Sequence, residues 1–310
     1  MDYVIQTKQL TKTYKDQHAV DKVALQVPKG SIYGFLGPNG AGKTTTIRML
    51  LGLIKPTKGD ITIFSKSLTK YRLDILKKVG SLVENPSYYG HLNALENLEV
   101  YRILLQVPKE RKQEVLDIVG LSYAAKKKVK NYSLGMKQRL GIAIALLGDP
   151  DLLILDEPTN GLDPSGIQEI RQLIKRLAHE RGITVLISSH LLGEVDQMAD
   201  YVGIISEGKL IFQDRIEKLR QRAQAKIRFQ VKETEAAWNV MLAQGLKADR
   251  EEETITVQNI DKEKVASLIE KLVHHQISIY RVEELTQSLE EIFLQVVKEG
   301  QGNVSKTMEG

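Results

Sequence analysis

The sequence predicts an α/β fold with a parallel core sheet, an antiparallel β-subdomain and a helical insertion, followed by a small α+β domain. Two short apolar runs, 152–155 and 184–188, flank a helix-like segment, 164–180, a pattern typical of strands buried on both faces of a parallel sheet. A glycine-rich segment, 37–44, follows a third apolar run and precedes another helix-like stretch. A change of composition after Asp214 marks the second domain.

Composition bounds the class of protein. The 310 residues, 42% of them hydrophobic, suffice for one sizeable domain and a smaller one. The absence of cysteine excludes disulfides and thiolate metal sites, and a net charge of +5 is too small to indicate nucleic acid. No stretch approaches the roughly 18 consecutive apolar residues of a membrane-spanning helix, and the start lacks a secretory signal. We therefore expect a cytoplasmic protein.

The first part of the chain contains β-like runs separated by turn signals. Turn residues at 28–30 and 58–60 bound runs that predict antiparallel strands at 3–7, 23–27 and 60–64. The run 32–36 is the strand that leads into the glycine-rich segment. A further strand is predicted at 79–83.

The glycine-rich segment is a complete phosphate-binding loop. A strand that turns sharply into a helix points backbone N–H groups at the phosphates of ATP or GTP, and glycines allow the close approach. Lys43 is predicted to contact the β and γ phosphates, and the Thr44 hydroxyl to contact Mg²⁺. A glycine-rich turn without a ligand is the alternative, which the flanking strand and helix disfavour. The predicted nucleotide-binding residues are Gly37, Pro38, Asn39, Gly40, Ala41, Gly42, Lys43, Thr44 and Thr45.

Helical periodicity dominates the middle of the first domain. It predicts a helix at 93–105 with Asn93 as N-cap and a second at 110–119, with Pro108 between them. A helix at 136–147 has Ser133 as its natural N-cap, and a helix start with a serine hydroxyl can bind a second anion. This part is interpreted as a helical subdomain spanning about 90–147.

Two carboxylates follow the apolar run 152–155, next to where the strand of the phosphate loop is expected to end. Asp156 is predicted to hold Mg²⁺. Glu157 is one residue further along the chain and points in another direction, so it is predicted to polarise the attacking water. Acidic residues that merely open a loop are the alternative.

The remaining elements complete the layout. A hairpin is predicted at 201–206 and 209–213, then a charged helix-prone stretch at 215–226. The second domain is predicted to contain strands at 226–231, 254–257 and 277–282, and helices at 233–242, 262–274 and 289–297. The resulting domains are 1–222, 223–299 and a disordered tail at 300–310.

Over about residues 3–220 the chain resembles the ATP-binding subunits of ABC transporters. The resemblance rests on Walker A at 37–44, the signature at 132–136, Walker B at 152–157, the D-loop at 161–164 and His190 after two serines. It implies a P-loop NTPase ABC cassette, whose cofactors are ATP and Mg²⁺.

The resemblance also implies roles for single residues. Two copies would pair head to tail, with each ATP between Walker A of one copy and Ser133 and Gly135 of the other. His190 would contact the γ-phosphate, Asp163 would couple the two sites, and Tyr14 would stack on adenine. Taken alone, His190 fits a polar residue at a strand end better, and only its place in the ordered set of motifs favours the γ-phosphate role.

Two departures from the family pattern stand out. Leu134 and Met136 replace the first glycine and the glutamine of the usual signature. Glu84 replaces the glutamine that reaches towards Mg²⁺ and the water, which makes it a candidate catalytic and metal-binding residue. A carboxylate there would either tighten Mg²⁺ binding or repel the γ-phosphate.

The segments 84–92 and 134–140 resemble the bacitracin-resistance and lantibiotic-immunity branch of the family. That branch implies an ATPase that serves a separate membrane permease exporting a peptide antibiotic, held peripherally on the inner face of the cell membrane. Residues 84–92, with Tyr88 and Tyr89, and the helices to 119 are the expected docking groove. Tyrosines that pack a loop are the alternative.

Other functions stay open at this stage. The cassette contacts no cargo, so an exporter of lipid, sugar, ions or other drugs fits as well. A soluble ABC ATPase acting on nucleic acid or the ribosome is a further alternative, although no second cassette or long coiled coil is visible.

The lysine run 126–130 is interpreted as a solvated loop, or as a contact for acidic lipid headgroups or a partner. The second domain, with the segment 288–294, resembles an accessory domain for dimerisation or regulation, or one with a packing role.

Overall fold

The computed structural model describes residues 2–83, 88–221, 226–258 and 260–285. These residues divide into two compact units, with the division between Ile216 and Glu217. Composition placed the boundary slightly later, at residue 222. In the described ranges, no helix combines the length and apolar character needed to cross a membrane.

Fifteen strands and ten α-helices make up the described structure. The strands are β1 (Tyr3–Tyr14), β2 (Gln17–Val23), β3 (Gln26–Pro28), β4 (Ile32–Leu36), β5 (Lys58–Ile63), β6 (Lys66–Ser67), β7 (Val79–Leu82), β8 (Leu152–Asp156), β9 (Thr184–Ser189), β10 (Tyr201–Ser206), β11 (Lys209–Arg215), β12 (Lys226–Val231), β13 (Ala248–Glu251), β14 (Thr254–Gln258) and β15 (Ile279–Leu285). The helices are α1 (Lys43–Leu50), α2 (Leu68–Leu76), α3 (Ala94–Leu105), α4 (Arg111–Ile118), α5 (Leu134–Leu146), α6 (Pro164–His179), α7 (Leu192–Asp196), α8 (Ile216–Gln221), α9 (Thr234–Ala243) and α10 (Lys262–His274).

The central sheet of the first unit has the strand order β11-β10-β4-β9-β8-β7. Every pair from β10 to β7 is parallel, and β11 pairs antiparallel at one edge. All residues of β4, β8 and β9 are buried, as expected for strands covered on both faces. The α/β fold predicted from the alternation of apolar runs and helix is confirmed.

An antiparallel sheet forms the β-subdomain, but its strands differ from the predicted ones. β1 extends to Tyr14 because it bends at Gln9, which has φ 47°, and bulges let its second half pair with β2. The predicted strand 23–27 is wrong as a single element, because Val23 ends β2 and Gln26 begins β3.

The helical subdomain follows the predicted pattern. The Asn93 side chain accepts a hydrogen bond from Glu96 N, and the Glu96 side chain accepts one from Asn93 N, so α3 begins with a capping box. Ser133 caps α5, which begins at Leu134, slightly earlier than expected. These short-range caps explain why both helix starts were predictable.

The second unit is a four-stranded antiparallel sheet with the order β13-β14-β12-β15. Alternate residues of β12 and β14, such as Phe229 and Ile255, are buried with Met241 of α9 and Leu272 of α10. The short, polar edge strand β13 was not predicted. The predicted helix 289–297 and the segments 288–294 and 300–310 lie outside the described residues.

Candidate active site

The site lies where β4, β9 and β8 end. In the sheet β9 lies between β4 and β8. Glu157, which follows β8, nevertheless lies next to the phosphate loop as expected, because it pairs with Lys43. The end of β9 supplies a third group of side chains between them, including Ser188 and His190. The carboxyl ends of parallel strands are where α/β sheets place ligands.

The glycine-rich segment forms a tight cradle between β4 and α1. A β-carbon at Gly42, whose φ is 106°, would lie 2.4 Å from the carbonyl oxygen of Ala19, so only glycine fits there. Lys43 begins α1 and is only 6% exposed, and its Nζ donates to the carbonyl oxygen of Gly37 at 2.7 Å. The cradle therefore fixes a buried ammonium at the start of a helix, where phosphate oxygens are favoured.

A cavity of about 350 Å³ opens over this cradle. It brings together six of the nine predicted loop residues with the predicted base and the predicted histidine, whereas Gly37, Pro38 and Ala41 do not line it. Ala19 and Asn160, which the sequence did not single out, also border it. The lining residues are Ala19, Asn39, Gly40, Gly42, Lys43, Thr44, Thr45, Glu157, Asn160 and His190.

Glu157 lies at the centre of the polar network. Its Oε1 is 3.2 Å from Lys43 Nζ, and its Oε2 is 2.8 Å from His190 Nδ1. Its backbone has φ 50°, a conformation that non-glycine residues rarely adopt and that concentrates at functional sites. Two side chains and the backbone thus hold one carboxylate against the phosphate cradle.

Ser188 connects the two carboxylate residues. Its Oγ donates to Asp156 Oδ1 at 2.5 Å and accepts from the backbone N–H of Glu157 at 2.9 Å. Both Ser188 and Asp156 are buried, so these bonds are shielded from water. Sequence reasoning did not assign this role, although a hydroxyl residue at the end of a buried strand was a signal for it.

A second link joins the loop after Glu157 to the segment after His190. The Thr159 hydroxyl donates to the carboxylate of Glu194 in α7, and both residues are buried. This bond therefore ties the segment that follows Glu157 to the helix that follows His190. This link was not predicted from the sequence.

The signature and the D-loop border a different cavity. Ser133 accepts from Met136 N at 3.2 Å, and Asp163 caps α6 by accepting from Gly166 N at 3.1 Å. The cavity has a volume of about 450 Å³ and includes Ser133, Gly135 and Asp163 in its wall. Among the described residues, none lines both this cavity and the phosphate cavity.

Comparison with known proteins identifies the family. A family model described as ABC transporter matches residues 20–160, and one described as an AAA domain, putative AbiEii toxin, matches residues 125–196. The bacitracin transport ATP-binding protein BcrA of Bacillus licheniformis is 53% identical over 238 residues, 76% of this chain and 78% of BcrA. The chain belongs to the ABC transporter ATP-binding family. It is an ABC ATPase, as its motifs predicted.

Two further proteins resemble this ABC ATPase. The lantibiotic transport ATP-binding protein SrtF of Streptococcus pyogenes is 44% identical over 210 residues, 68% of this chain and 90% of SrtF. A dimeric post-hydrolysis structure of the ATP-binding cassette MJ0796 bound to ADP and Pi superimposes with a TM-score of 0.62. That match has 28% identity and covers 68% of this chain and 98% of the cassette.

The residues present fit Mg-ATP, the ligand of this family. The buried Lys43 ammonium faces the cavity, and a side chain at Gly42 would close the loop against Ala19. Thr44, in the first turn of α1, lines the same cavity. Asp156 is buried at the end of β8, directly before Glu157, and does not itself line the cavity. A hydroxyl and a carboxylate are oxygen donors of the kind that Mg²⁺ takes together with substrate phosphates.

The residue predicted to stack on adenine does not line this cavity. Tyr14 ends β1, is 49% exposed and has Lys12 Nζ 5.0 Å from its ring centroid, but it does not line the phosphate cavity. Glu84 falls outside the described residues, so its position relative to the cradle stays a prediction.

The two tyrosines of the expected docking segment have different environments. The Tyr88 hydroxyl donates to the carbonyl oxygen of Lys137 in α5, and burial raises the pKa of Tyr88 above its ordinary value. Tyr88 thus packs the loop, which is the alternative raised from the sequence. Tyr89 is 49% exposed, and its backbone N–H and carbonyl bond to the buried side chain of Asn97 at 3.0 and 3.2 Å.

Proposed function

We propose that the chain is the ATP-hydrolysing subunit of a peptide exporter, in which two copies bind Mg-ATP head to tail and drive a separate permease. One observation carries the pairing: no described residue lines both the phosphate cavity and the signature cavity. In a head-to-tail pair, Ser133 and Gly135 of one copy reach the triphosphate held by the other. The related cassette MJ0796 forms a dimer in its ADP- and Pi-bound structure, which supports pairing of two copies.

The proposed chemistry assigns a task to each cavity residue. When bound, Mg-ATP supplies the phosphoanhydride bond to be cleaved, with the metal neutralising charge on the phosphates. When ATP binds, its phosphate oxygens replace the Glu157 carboxylate as the partner of the Lys43 ammonium. Glu157 is then free to accept a proton from the attacking water, while His190 holds Glu157 and contacts the γ-phosphate.

Residues around the cavity complete the proposal. Thr44 and Asp156 hold Mg²⁺, with Ser188 fixing the Asp156 carboxylate through the hydrogen bond described above. Tyr14 stacks on the adenine from the exposed end of β1. Asp163 couples the two sites across the pair.

A chemical cross-linking experiment tests the head-to-tail arrangement. Because the chain has no cysteine, single cysteines can be placed at Asn39 in the cradle and at Leu134 beside Ser133 without removing native ones. Mixing Asn39→Cys chains with Leu134→Cys chains in MgATP and a short bifunctional maleimide should give a covalent dimer. Either variant alone should give none. The arrangement would be contradicted if either variant alone formed covalent dimers, or if the mixture of the two variants formed no covalent dimer.

We place permease docking on the segment from Tyr89 to Leu92 and on α3. Asn97, which is fully buried, holds the Tyr89 backbone through two hydrogen bonds, so the exposed ring is presented on a fixed segment. Exposed aromatic rings on such segments are typical anchors of interfaces.

The cargo assignment, a peptide antibiotic with resistance or immunity as the outcome, rests on the names of the related transport proteins.

Charge reversal tests this docking surface. Tyr89→Glu should abolish co-purification with the permease and uncouple ATPase activity from bacitracin resistance. Tyr71→Glu is the matched control, because Tyr71 is also 49% exposed and lies on α2. Equal co-purification of both variants with the permease would reject the docking segment.

We propose a dimerising or regulatory role for the second unit. Its sheet and two helices enclose a core of their own, which includes Phe229 and Leu272, so it is built as a separate module. A packing role is the alternative.

A further inference from the structure

The lysine run of the helical subdomain is an exposed basic face. Lys126, Lys127, Lys128 and Lys130 are all exposed, whereas Val129 between them is buried and anchors the run. The ion pairs found among the described residues all use other basic groups. The four ammonium groups therefore face solvent without carboxylate neutralisation from the described part of the chain.

The sequence around this face is basic over a long stretch. No acidic residue occurs between Asp117 and Asp149. The positive potential of the run is thus not offset by its neighbours along the chain. A surface of one charge sign attracts polyanions over about one Debye length, or roughly 10 Å at moderate ionic strength.

Backbone hydrogen bonds attach the run to the docking segment. Val129 N donates to Leu92 O at 2.9 Å, and Lys130 N donates to Gly90 O at 2.9 Å. An isolated β-bridge also joins Asn93 to Lys128. The lysines consequently lie beside the segment that carries Tyr89, at fixed distance from the surface assigned to the permease.

The structure assigns these four lysines to the binding of anionic phospholipid headgroups beside the permease; this inference rests on the proposed docking of the cassette. Lysine is depleted in protein interfaces, where arginine and aromatic residues prevail, and the run contains no arginine. Clusters of at least about four lysines held near a membrane bind acidic lipids through their combined charge. Lipid therefore fits this face better than an acidic segment of the permease.

Vesicle flotation of the full chain tests the inference without the permease. The wild type should float with vesicles containing about a third phosphatidylglycerol but not with pure phosphatidylcholine, and binding should weaken as salt rises. Each lysine near such a surface contributes about fivefold to partitioning, so replacing all four by glutamine should weaken vesicle binding by about 600-fold.

A matched control separates the face from net charge. Replacing Lys8, Lys29, Lys58 and Lys77 by glutamine removes the same charge from other exposed positions of the cassette. This control variant should float like the wild type. If both quadruple variants lose vesicle binding equally, net charge rather than this face is responsible and the inference is overturned.

Two parallel measurements keep this inference distinct from the proposed function. ATP binding and permease co-purification are assayed on the same proteins. A wild type that binds ATP and permease but ignores acidic vesicles overturns the lipid inference alone. A quadruple variant that keeps vesicle binding but loses the permease assigns the face to an acidic permease segment instead. A wild type that ignores ATP contradicts the proposed function, whatever the vesicles show.

Discussion

The Lys43 ammonium lies 3.2 Å from Oε1 of Glu157, so the predicted phosphate-binding cation and the predicted base form an ion pair. The other oxygen of the same carboxylate lies 2.8 Å from Nδ1 of His190. A carboxylate here satisfies the buried ammonium in the way that phosphate oxygens would. We propose that nucleotide binding releases Glu157 from this ion pair, because phosphate oxygens would take its place beside Lys43.

Removing the charge of the base should separate binding from turnover. Glu157→Gln keeps the shape of the side chain but cannot accept a proton, so ATP hydrolysis should fall by about 10²-fold or more while ATP binding persists. Steady-state phosphate release and equilibrium binding measure the two effects. Glu180→Gln, which changes an exposed carboxylate at the C-cap of α6, should leave turnover unchanged. Wild-type turnover in Glu157→Gln would remove Glu157 from its role.

Loss of the cradle cation should act on binding itself. Lys43→Ala leaves the triphosphate without its nearest cation and leaves Glu157 without a partner on Oε1, so ATP affinity should drop. Fluorescent nucleotide titration measures the change, with the exposed Lys175→Ala as control. Equal affinity in both variants would show that the cradle binds without Lys43.

Ser188 should matter through Mg²⁺ rather than through ATP. Ser188→Ala removes the hydrogen bond that orients Asp156, and loss of such a partner typically weakens metal affinity by about 10–100-fold. The Mg²⁺ concentration for half-maximal hydrolysis should rise accordingly. Ser206→Ala, at a buried serine that ends β10, is the control. An unchanged Mg²⁺ requirement would show that Asp156 does not need the Ser188 hydrogen bond to bind the metal.

Truncation tests the second unit. A chain ending at Gln221 keeps β11 whole, whereas an end at Asp214 would break its pairing with Tyr201. If the second unit promotes pairing or regulates hydrolysis, the truncated chain should show a changed dimer affinity or ATPase rate. A packing role predicts that both are retained.

Short-range signals account for what the sequence predicted well. The glycines of the phosphate loop, the Asn93 capping box and the Ser133 cap each act within a few residues of their own position. The buried strands β8 and β9 were visible because strands covered on both faces are apolar throughout. Most of the cassette fold follows from such local patterns.

Long-range partners explain what was missed. Ser188 acts through Asp156 on the neighbouring strand, and Asn97 acts through the Tyr89 backbone across a loop. The extension of β1 depends on bulges that no hydrophobic pattern marks. The sequence around Tyr88 is typical of an exposed loop, but its hydroxyl donates to the carbonyl oxygen of Lys137 in α5. Each case requires knowing which segments meet in space.

Sedimentation velocity of Glu157→Gln with and without MgATP tests most directly whether ATP joins the phosphate cradle of one copy to the signature of another. The account predicts a monomer without nucleotide, a stable dimer with MgATP, and a return to monomer when Ser133→Glu is added to block the signature. A Glu157→Gln protein that binds ATP yet sediments as a monomer, or a dimer indifferent to both ATP and Ser133, would contradict it.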